Sequence, residues 1–350
     1  MKSKLLRHLS VFLAAIVMPG IAQAQNTTEV VPPVIDVHFH AFAPPPDSRP
    51  LCPNQSQFLA SDPADGEESQ WGWSMEDCTP KLSPSKPGEY IKDITDEMKR
   101  LNVTAVVFAD GGPEWPAKYE ALAPGRVIPG IAFKLIENLK LIEDAPPKDE
   151  QMKILEEAFT EGGFKVMGEI APQYAGMSPS DMSLDDYFSL AERLDIPVAI
   201  HMGTGGSGRA NVNLPQFRAS MGDPFLLEDL LSRHPGLRMW IMHAGYPLID
   251  NTLALLQTNS HVYVDIAGLI WSYPIYEVNR YIERLVKAGF GDRVMFGTDQ
   301  LIWPGLMAHS ISIIQNADYL TSSQKRDILY NNAARFLRFS DEKIANDLGK

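Results

Sequence analysis

The chain has 350 residues, 45% of them hydrophobic, and its 31 lysines and arginines against 44 acidic residues give a formal charge of −13 and a pI near 5.1. Hydrophobic content at this level can build a packed core, which excludes disorder as the main state. The negative balance repels phosphate backbones and anionic lipid at long range and, with no basic patch to offset it, argues against nucleic-acid and membrane-surface partners.

At the N-terminus, Lys2, Lys4 and Arg7 precede the apolar run Val11 to Met18, which is too short to span a bilayer and leads into Ala22-Gln23-Ala24. This is the pattern of a secretory signal peptide over 1–24, cleaved after Ala24, whose loss of three positive charges moves the balance from −13 to −16. The expected location is the periplasm or the outside of the cell, with no membrane anchor after cleavage and a single domain over 25–350. Cys52 and Cys78 are the only cysteines, and an even pair in an oxidising compartment favours one disulfide.

From Val31 onward, short β-branched runs alternate with amphipathic stretches, the signature of βα units around a parallel sheet. Eight strands are predicted: Val34–Phe39, Val103–Ala109, Val127–Phe133, Phe164–Ile170, Pro197–Met202, Leu237–His243, His261–Ile266 and Arg293–Thr298. Several, such as Val103-Thr104-Ala105-Val106-Val107-Phe108, are nearly continuous apolar runs, as strands buried on both faces require. Ser183-Leu184-Asp185-Asp186 and Thr321-Ser322-Ser323-Gln324 resemble helix-opening capping boxes. Eight such units predict an α/β fold of the (β/α)8 TIM-barrel type, usually ~250 residues. The excess lies mainly in 41–89, a stretch with nine prolines, both cysteines, Trp71 and Trp73. Because it follows the first strand, it is expected to cap the C-terminal face, where this fold keeps its active sites.

Four of the eight histidines, His38, His40, His201 and His243, stand at or just past the ends of predicted strands, and Asp299 ends the eighth in the same way. In Val34-Ile35-Asp36-Val37-His38-Phe39-His40 the two imidazoles are two residues apart, so on a strand they share a face. Barrel closure would bring all five side chains to one mouth. One histidine in such a place is well explained as a hydrogen-bonded core residue, but the ordered set is not. His234 before Pro235-Gly236 and His261 at a strand start read as structural, and His309 stays open.

The sequence resembles the amidohydrolase superfamily, specifically the amidohydrolase-2 branch that also contains aminocarboxymuconate-semialdehyde decarboxylase and related lyases. The likeness runs from the His38-Phe39-His40 motif through Phe296-Gly297-Thr298-Asp299 to Asn331-Asn332-Ala333-Ala334-Arg335-Phe336-Leu337. It implies His38, His40, His201 and Asp299 as metal ligands, with His243 as acid/base or further ligand. On strand four, Lys165 and Glu169 compete for a bridging position on one face; Glu169 wins because it lies at the C-terminal end, and Gly168-Glu169-Ile170 also resembles the TatD-type nucleases. Lys165 is read as structural or as the partner of Glu169.

Nitrogen-rich ligands with one or two carboxylates suit a divalent ion, Zn²⁺ best, with Mn²⁺ or Fe²⁺ tolerated and a second ion allowed by Glu169. The implied reaction is hydrolysis of an ester, lactone or amide in a small molecule by a metal-activated water, with Asp299 taking the proton and the metal or protonated His243 polarising the carbonyl. A lyase, decarboxylase or hydratase, on the same cradle is the alternative reading, and a non-catalytic periplasmic binding protein is a second. A TatD-type nuclease is disfavoured by the charge. Oligomeric state is left open, a homo-oligomer included. The glycine-rich 203–209 lacks the ending of a phosphate loop and reads as an active-site loop, in which Arg209 could meet a substrate carboxylate. Trp271, Tyr273 and Trp303 could line a pocket, and Asp265 could support the ligands.

Overall fold

The computed structural model describes residues 31–41, 50–55, 78–84, 86–132, 148–205 and 216–349. The β-branched runs form eight parallel strands: β1 (Val34–His40), β2 (Val103–Phe108), β3 (Val127–Ile131), β4 (Val166–Ile170), β5 (Val198–His201), β6 (Met239–Met242), β7 (Tyr263–Asp265) and β8 (Val294–Met295). They pair in chain order. Between the last and the first, Val37 N donates to Phe296 O at 3.0 Å, Asp299 N to His38 O at 2.8 Å and His40 N to Gln300 O at 3.0 Å. The sheet therefore curls into a nearly closed (β/α)8 barrel.

Each predicted strand is found; β1 runs one residue further, to His40, and the other seven are shorter than predicted. Leu237 and Arg293 precede their ladders, and His243, Thr298 and Asp299 lie beyond theirs, because the chain leaves the sheet to turn where it carries polar side chains. Helices α1 (Pro87–Arg100), α2 (Trp115–Leu122), α3 (Lys148–Thr160), α4 (Asp185–Arg193), α5 (Glu228–Arg233), α6 (Ile249–Thr258), α7 (Ile275–Leu285) and α8 (Gly305–Asn316) fall between and after the strands. Among the described residues no helix is long and apolar enough to cross a membrane.

One helix start differs from expectation. Asp181, not Ser183, caps the turn before α4, its carboxylate accepting the Ser183 amide at 2.9 Å. Ser183 thus lies inside the capped turn, and its hydroxyl points to Met177 Sδ at 3.7 Å instead of to a helix amide. At Thr321 the expected capping box does form: Thr321 Oγ1 accepts the Gln324 amide at 3.2 Å, and Gln324 Oε1 accepts the Thr321 amide at 2.9 Å.

The core has two parts. One lies between strands and helices, around residues such as Phe39, Tyr119, Ile200 and Leu285. The other fills the barrel with Ile35, Val106, Val166, Ala199, Trp240 and Met295 and continues into Tyr330 and Phe336 of the C-terminal segment. Phe336 meets Trp240 edge-on at 5.5 Å, and its carbonyl accepts from Arg238 just before β6. The N-terminal end is thus plugged by apolar side chains, leaving the opposite mouth for polar ones.

Of the 41–89 insertion, the described parts include an antiparallel ladder of Pro50–Leu51 with Lys81–Leu82 and the expected Cys52–Cys78 disulfide, Cα atoms 6.0 Å apart. Asn54 fixes it to the barrel top, donating from its amide to Trp271 O at 2.7 Å and from Nδ2 to Ile270 O and Tyr273 O. The rest of the insertion, with Trp71 and Trp73, which is expected to cap the barrel, and the expected signal peptide over 1–24 lie outside the described residues.

Candidate metal centre

The ladder of β1 shifts register between Asp36 and Phe39, and past that point Phe39 packs outward on Tyr119 while His38 and His40 turn inward. Their Nε2 atoms face each other at 3.1 Å. Asp299 Oδ1 stands 3.2 Å from His40 Nε2 and 3.7 Å from His38 Nε2. These three residues form one group able to hold a cation; His38, Glu169 and His243 form a second, and His38 belongs to both.

Glu169 reaches this point because β4 carries its own register shift, between Met167 and Ile170. One Glu169 oxygen lies 3.5 Å from His40 Nε2 and the other 3.4 Å from His243 Nε2, and the latter is also hydrogen-bonded with His201 Nδ1. His201, at the end of β5, has its Nδ1 3.1 Å from His243 Nε2. Thus His38, His40, Glu169, His201, His243 and Asp299 all meet at one mouth. Lys165 does not share the face of Glu169: it precedes β4 and is exposed, because the irregularity at Gly168 breaks the two-residue alternation.

His243 and Asp299 both adopt positive φ, 56° and 54°. Such backbone is uncommon outside glycine and clusters at functional sites. Here it lets a residue just past a strand turn its side chain back over the barrel.

Two carboxylates outside the ligand set hold the rings of His38 and His40, and a third, Asp36, holds the backbone beside them. His38 Nδ1 donates to Asp265 Oδ2 at 3.1 Å and His40 Nδ1 to Asp110 Oδ2 at 2.9 Å. Asp36, fully buried, accepts the amides of His38 at 3.0 Å and Thr298 at 2.9 Å, together with the Thr298 hydroxyl. The available signal was position: Asp265 ends β7 as His201 ends β5, and Asp110 follows the end of β2 by two residues.

A carboxylate only accepts, so the bonds to Asp265 and Asp110 place the ring proton of neutral His38 and His40 on Nδ1. Two Nε2 lone pairs then face each other beside ionised Asp299, an arrangement that repels itself unless a cation lies among them. The donor set therefore fits a divalent metal, and carboxylate-anchored imidazoles are a common support for one. Without an ion, positive charge on the rings takes its place beside the carboxylates. Burial pushes Asp299 towards neutrality, but the charges of His38 and His40 outweigh it and hold its pKa at about 2. For Glu169 burial is likewise outweighed, by His201 and His243, and its pKa falls well below the carboxylate range. Burial opposes charge on His243, yet Glu169 and Asp299 raise its pKa to about 9, and Asp110 and Asp299 similarly raise that of His40. Burial and the neighbouring His243 lower the pKa of His201.

Around the centre, Trp271 is buried against Trp303 at 6.0 Å and donates to Thr298 O at 2.6 Å, while Tyr273 packs on Tyr246 at 4.1 Å. Tyr174 lies 5.2 Å from the His201 ring. His309 binds the insertion, its Nε2 donating to Asn54 Oδ1 at 2.6 Å, and His234 sits between Asp185 and Glu192 as a structural residue. Arg209 lies outside the described residues.

With this geometry in place, comparison becomes informative: the family model described as Amidohydrolase, of the amidohydrolase-2 branch, matches residues 35–339. The chain belongs to this amidohydrolase family. Proteins of the family bind a divalent metal, which agrees with the donor set. Among solved structures, a Lactobacillus casei protein provisionally named a metal-dependent hydrolase superposes with a TM-score of 0.56 at 15% identity, covering 88% of this chain and 96% of that one. An uncharacterised TIM-barrel protein from Bordetella bronchiseptica gives 0.53 at 16% identity over 73% and 82%. A 5-carboxyvanillate decarboxylase from Sphingomonas paucimobilis gives 0.49 at 16% identity over 70% and 82%. At these identities the first two superpositions establish the barrel and nothing finer. No curated protein matches the chain significantly in sequence. Family membership makes this an enzyme of the amidohydrolase superfamily.

Proposed function

We propose that the protein is a metal-dependent hydrolase that cleaves an ester, lactone or amide bond of a small molecule, with Zn²⁺ as the preferred ion and Mn²⁺ or Fe²⁺ accepted. The observation that carries the reading is the convergence of His38 Nε2, His40 Nε2 and Asp299 Oδ1 within 3.7 Å of one another, with both Nδ1 protons tied to carboxylates. His38, His40, Glu169, His201 and Asp299 would hold the ion. When bound, a divalent ion supplies Lewis acidity and lets water act as a nucleophile near neutral pH.

The chain's own groups then divide the proton traffic. Asp299 is ionised and placed to accept a proton. His243 Nε2 holds a proton readily, 3.4 Å from Glu169, and can hand it to the oxygen or nitrogen that leaves. An acceptor with a lowered pKa beside a donor with a raised one is the pairing that general acid–base catalysis uses. Export by the leader over 1–24, a periplasmic or secreted location and freedom from nucleic-acid and membrane partners belong to the same proposal, which leaves a homo-oligomer open.

The lyase reading shares this cradle, since the chain resembles a branch containing decarboxylases. Metal analysis of the purified protein, followed by an ester, lactone and carboxylic-acid panel with and without a chelator, tests the choice. Chelator-sensitive ester or lactone turnover is the expected result. Release of CO₂ alone would make the protein a lyase, and ligand binding without turnover a binding protein.

A further inference from the structure

We propose that the turn closing β7, Asp265-Ile266-Ala267-Gly268, is a positioning device that fixes the ring tautomers of His38 and His243 so that both present Nε2 to the centre. The inference rests on the metal-site reading above.

Asp265 is fully buried and its two oxygens do different work. Oδ2 accepts His38 Nδ1 at 3.1 Å and Trp240 Nε1 at 3.0 Å, whereas Oδ1 accepts the backbone amides of His243 at 2.9 Å and Ala267 at 3.0 Å. Two residues on, the Ala267 carbonyl accepts His243 Nδ1 at 2.8 Å. A carboxylate and a carbonyl have no proton to give, so both rings must carry hydrogen on Nδ1, and both neutral rings are left with an Nε2 lone pair. The same carboxylate holds the His243 amide, the point at which the backbone enters its positive-φ conformation. One four-residue turn therefore sets the proton position of a ligand on β1 and the backbone and ring of a residue after β6.

Gly268 completes the device. At φ +63°, a Cβ there would lie 2.8 Å from Asp299 Oδ2 and 2.9 Å from His243 Nδ1. Only glycine lets the turn pass so close to both side chains. Asparagine at 265 cannot replace the carboxylate, because it has one acceptor oxygen and its NH₂ must confront either the two amides or the two ring N–H groups. Facing His38, that NH₂ would make Nδ1 the acceptor and put a proton on Nε2, aimed at the ion.

The test measures Zn²⁺ affinity by competition with a chromogenic chelator in the full-length wild type and in Asp265→Asn, with the Co²⁺ absorption spectrum and far-UV circular dichroism alongside. The expected result is Zn²⁺ binding by wild type and binding weakened ~10–100-fold in the variant, the scale found when partners of metal-bound histidines are removed. The Co²⁺ spectrum should change while the circular dichroism does not. Equal affinity and spectra would overturn the positioning role and leave the metal site standing. No Zn²⁺ binding by wild type would overturn both. Should Asp265→Asn not fold, ¹⁵N-histidine NMR of the Zn²⁺-loaded wild type decides: Nδ1–H on His38 and His243 is expected, and an Nδ1 without hydrogen on either ring, or Nε2–H on His38, overturns the proposal.

Discussion

At the residue scale, the site depends on side chains whose neighbours set their charge more than their own chemistry does. Asp299 shows this, because it combines a depressed pKa with φ 54°. Asparagine tolerates that backbone region nearly as well as aspartate, whereas alanine does not. Asp299→Asn should therefore fold like wild type and lose turnover by ~10²–10⁴-fold, the usual contribution of a general acid or base. Asp299→Ala should lose as much turnover and a further ~1–2 kcal/mol of stability for the left-handed backbone. Rates on the substrate found in the panel, together with urea denaturation of both variants, check this. An Asp299→Asn enzyme with near-normal turnover would remove the residue from the chemistry.

At the element scale, the eight strands were legible because a strand buried on both faces has to be an unbroken apolar run, and the same runs end in His201 and Asp299. The pairing of His38 with His40 followed from strand periodicity. What periodicity could not supply is register. Lys165 was placed on the face of Glu169 by counting residues, and the shift between Met167 and Ile170 defeats the count. Asp265 is readable from the end of its strand as a support for the ligands, but nothing in the sequence marks Asp110, because its partner on β1 is 70 residues away and meets it only on folding. The disulfide within the insertion was legible from its two cysteines, but Asn54, which clips this segment to the carbonyls of 270, 271 and 273, carries no motif. Closing a loop of 26 residues, Cys52–Cys78 should stabilise the folded chain by about 3.5 kcal/mol through the entropy of the unfolded one. Cys52→Ser is expected to melt several degrees below wild type and to be insensitive to reductant, while reductant lowers the wild type to the same point. Matching melting curves for oxidised and reduced wild type would show that Asn54 and the ladder hold the insertion unaided.

At the scale of the whole molecule, a barrel must join its last strand to its first, and here that seam is thin: the two residues of β8 ladder with β7, and the join to β1 rests on the backbone bonds of Val37, His40 and Asp299 and a bridge between Phe39 and Gln300. Asp36 reinforces it from within, joining His38 on β1 to Thr298 beyond β8, 262 residues away in sequence, through a carboxylate fully removed from water. The chain passes directly from Thr298 to Asp299, so the group that closes the barrel also places the proton acceptor. Asp36→Ala would strand the Thr298 amide and hydroxyl and the His38 amide in an apolar surround, each at a cost of about 1–3 kcal/mol less whatever water repairs. A loss near 3 kcal/mol in urea denaturation is expected, with Asp36→Asn losing less because one oxygen still accepts. Zn²⁺ affinity should fall in step with stability, since His38 and Asp299 flank the bonds that are lost. A variant within ~0.5 kcal/mol of wild type, the ordinary range for an inconsequential surface change, would mean that the backbone bonds of Val37, His40 and Asp299 close the ring alone.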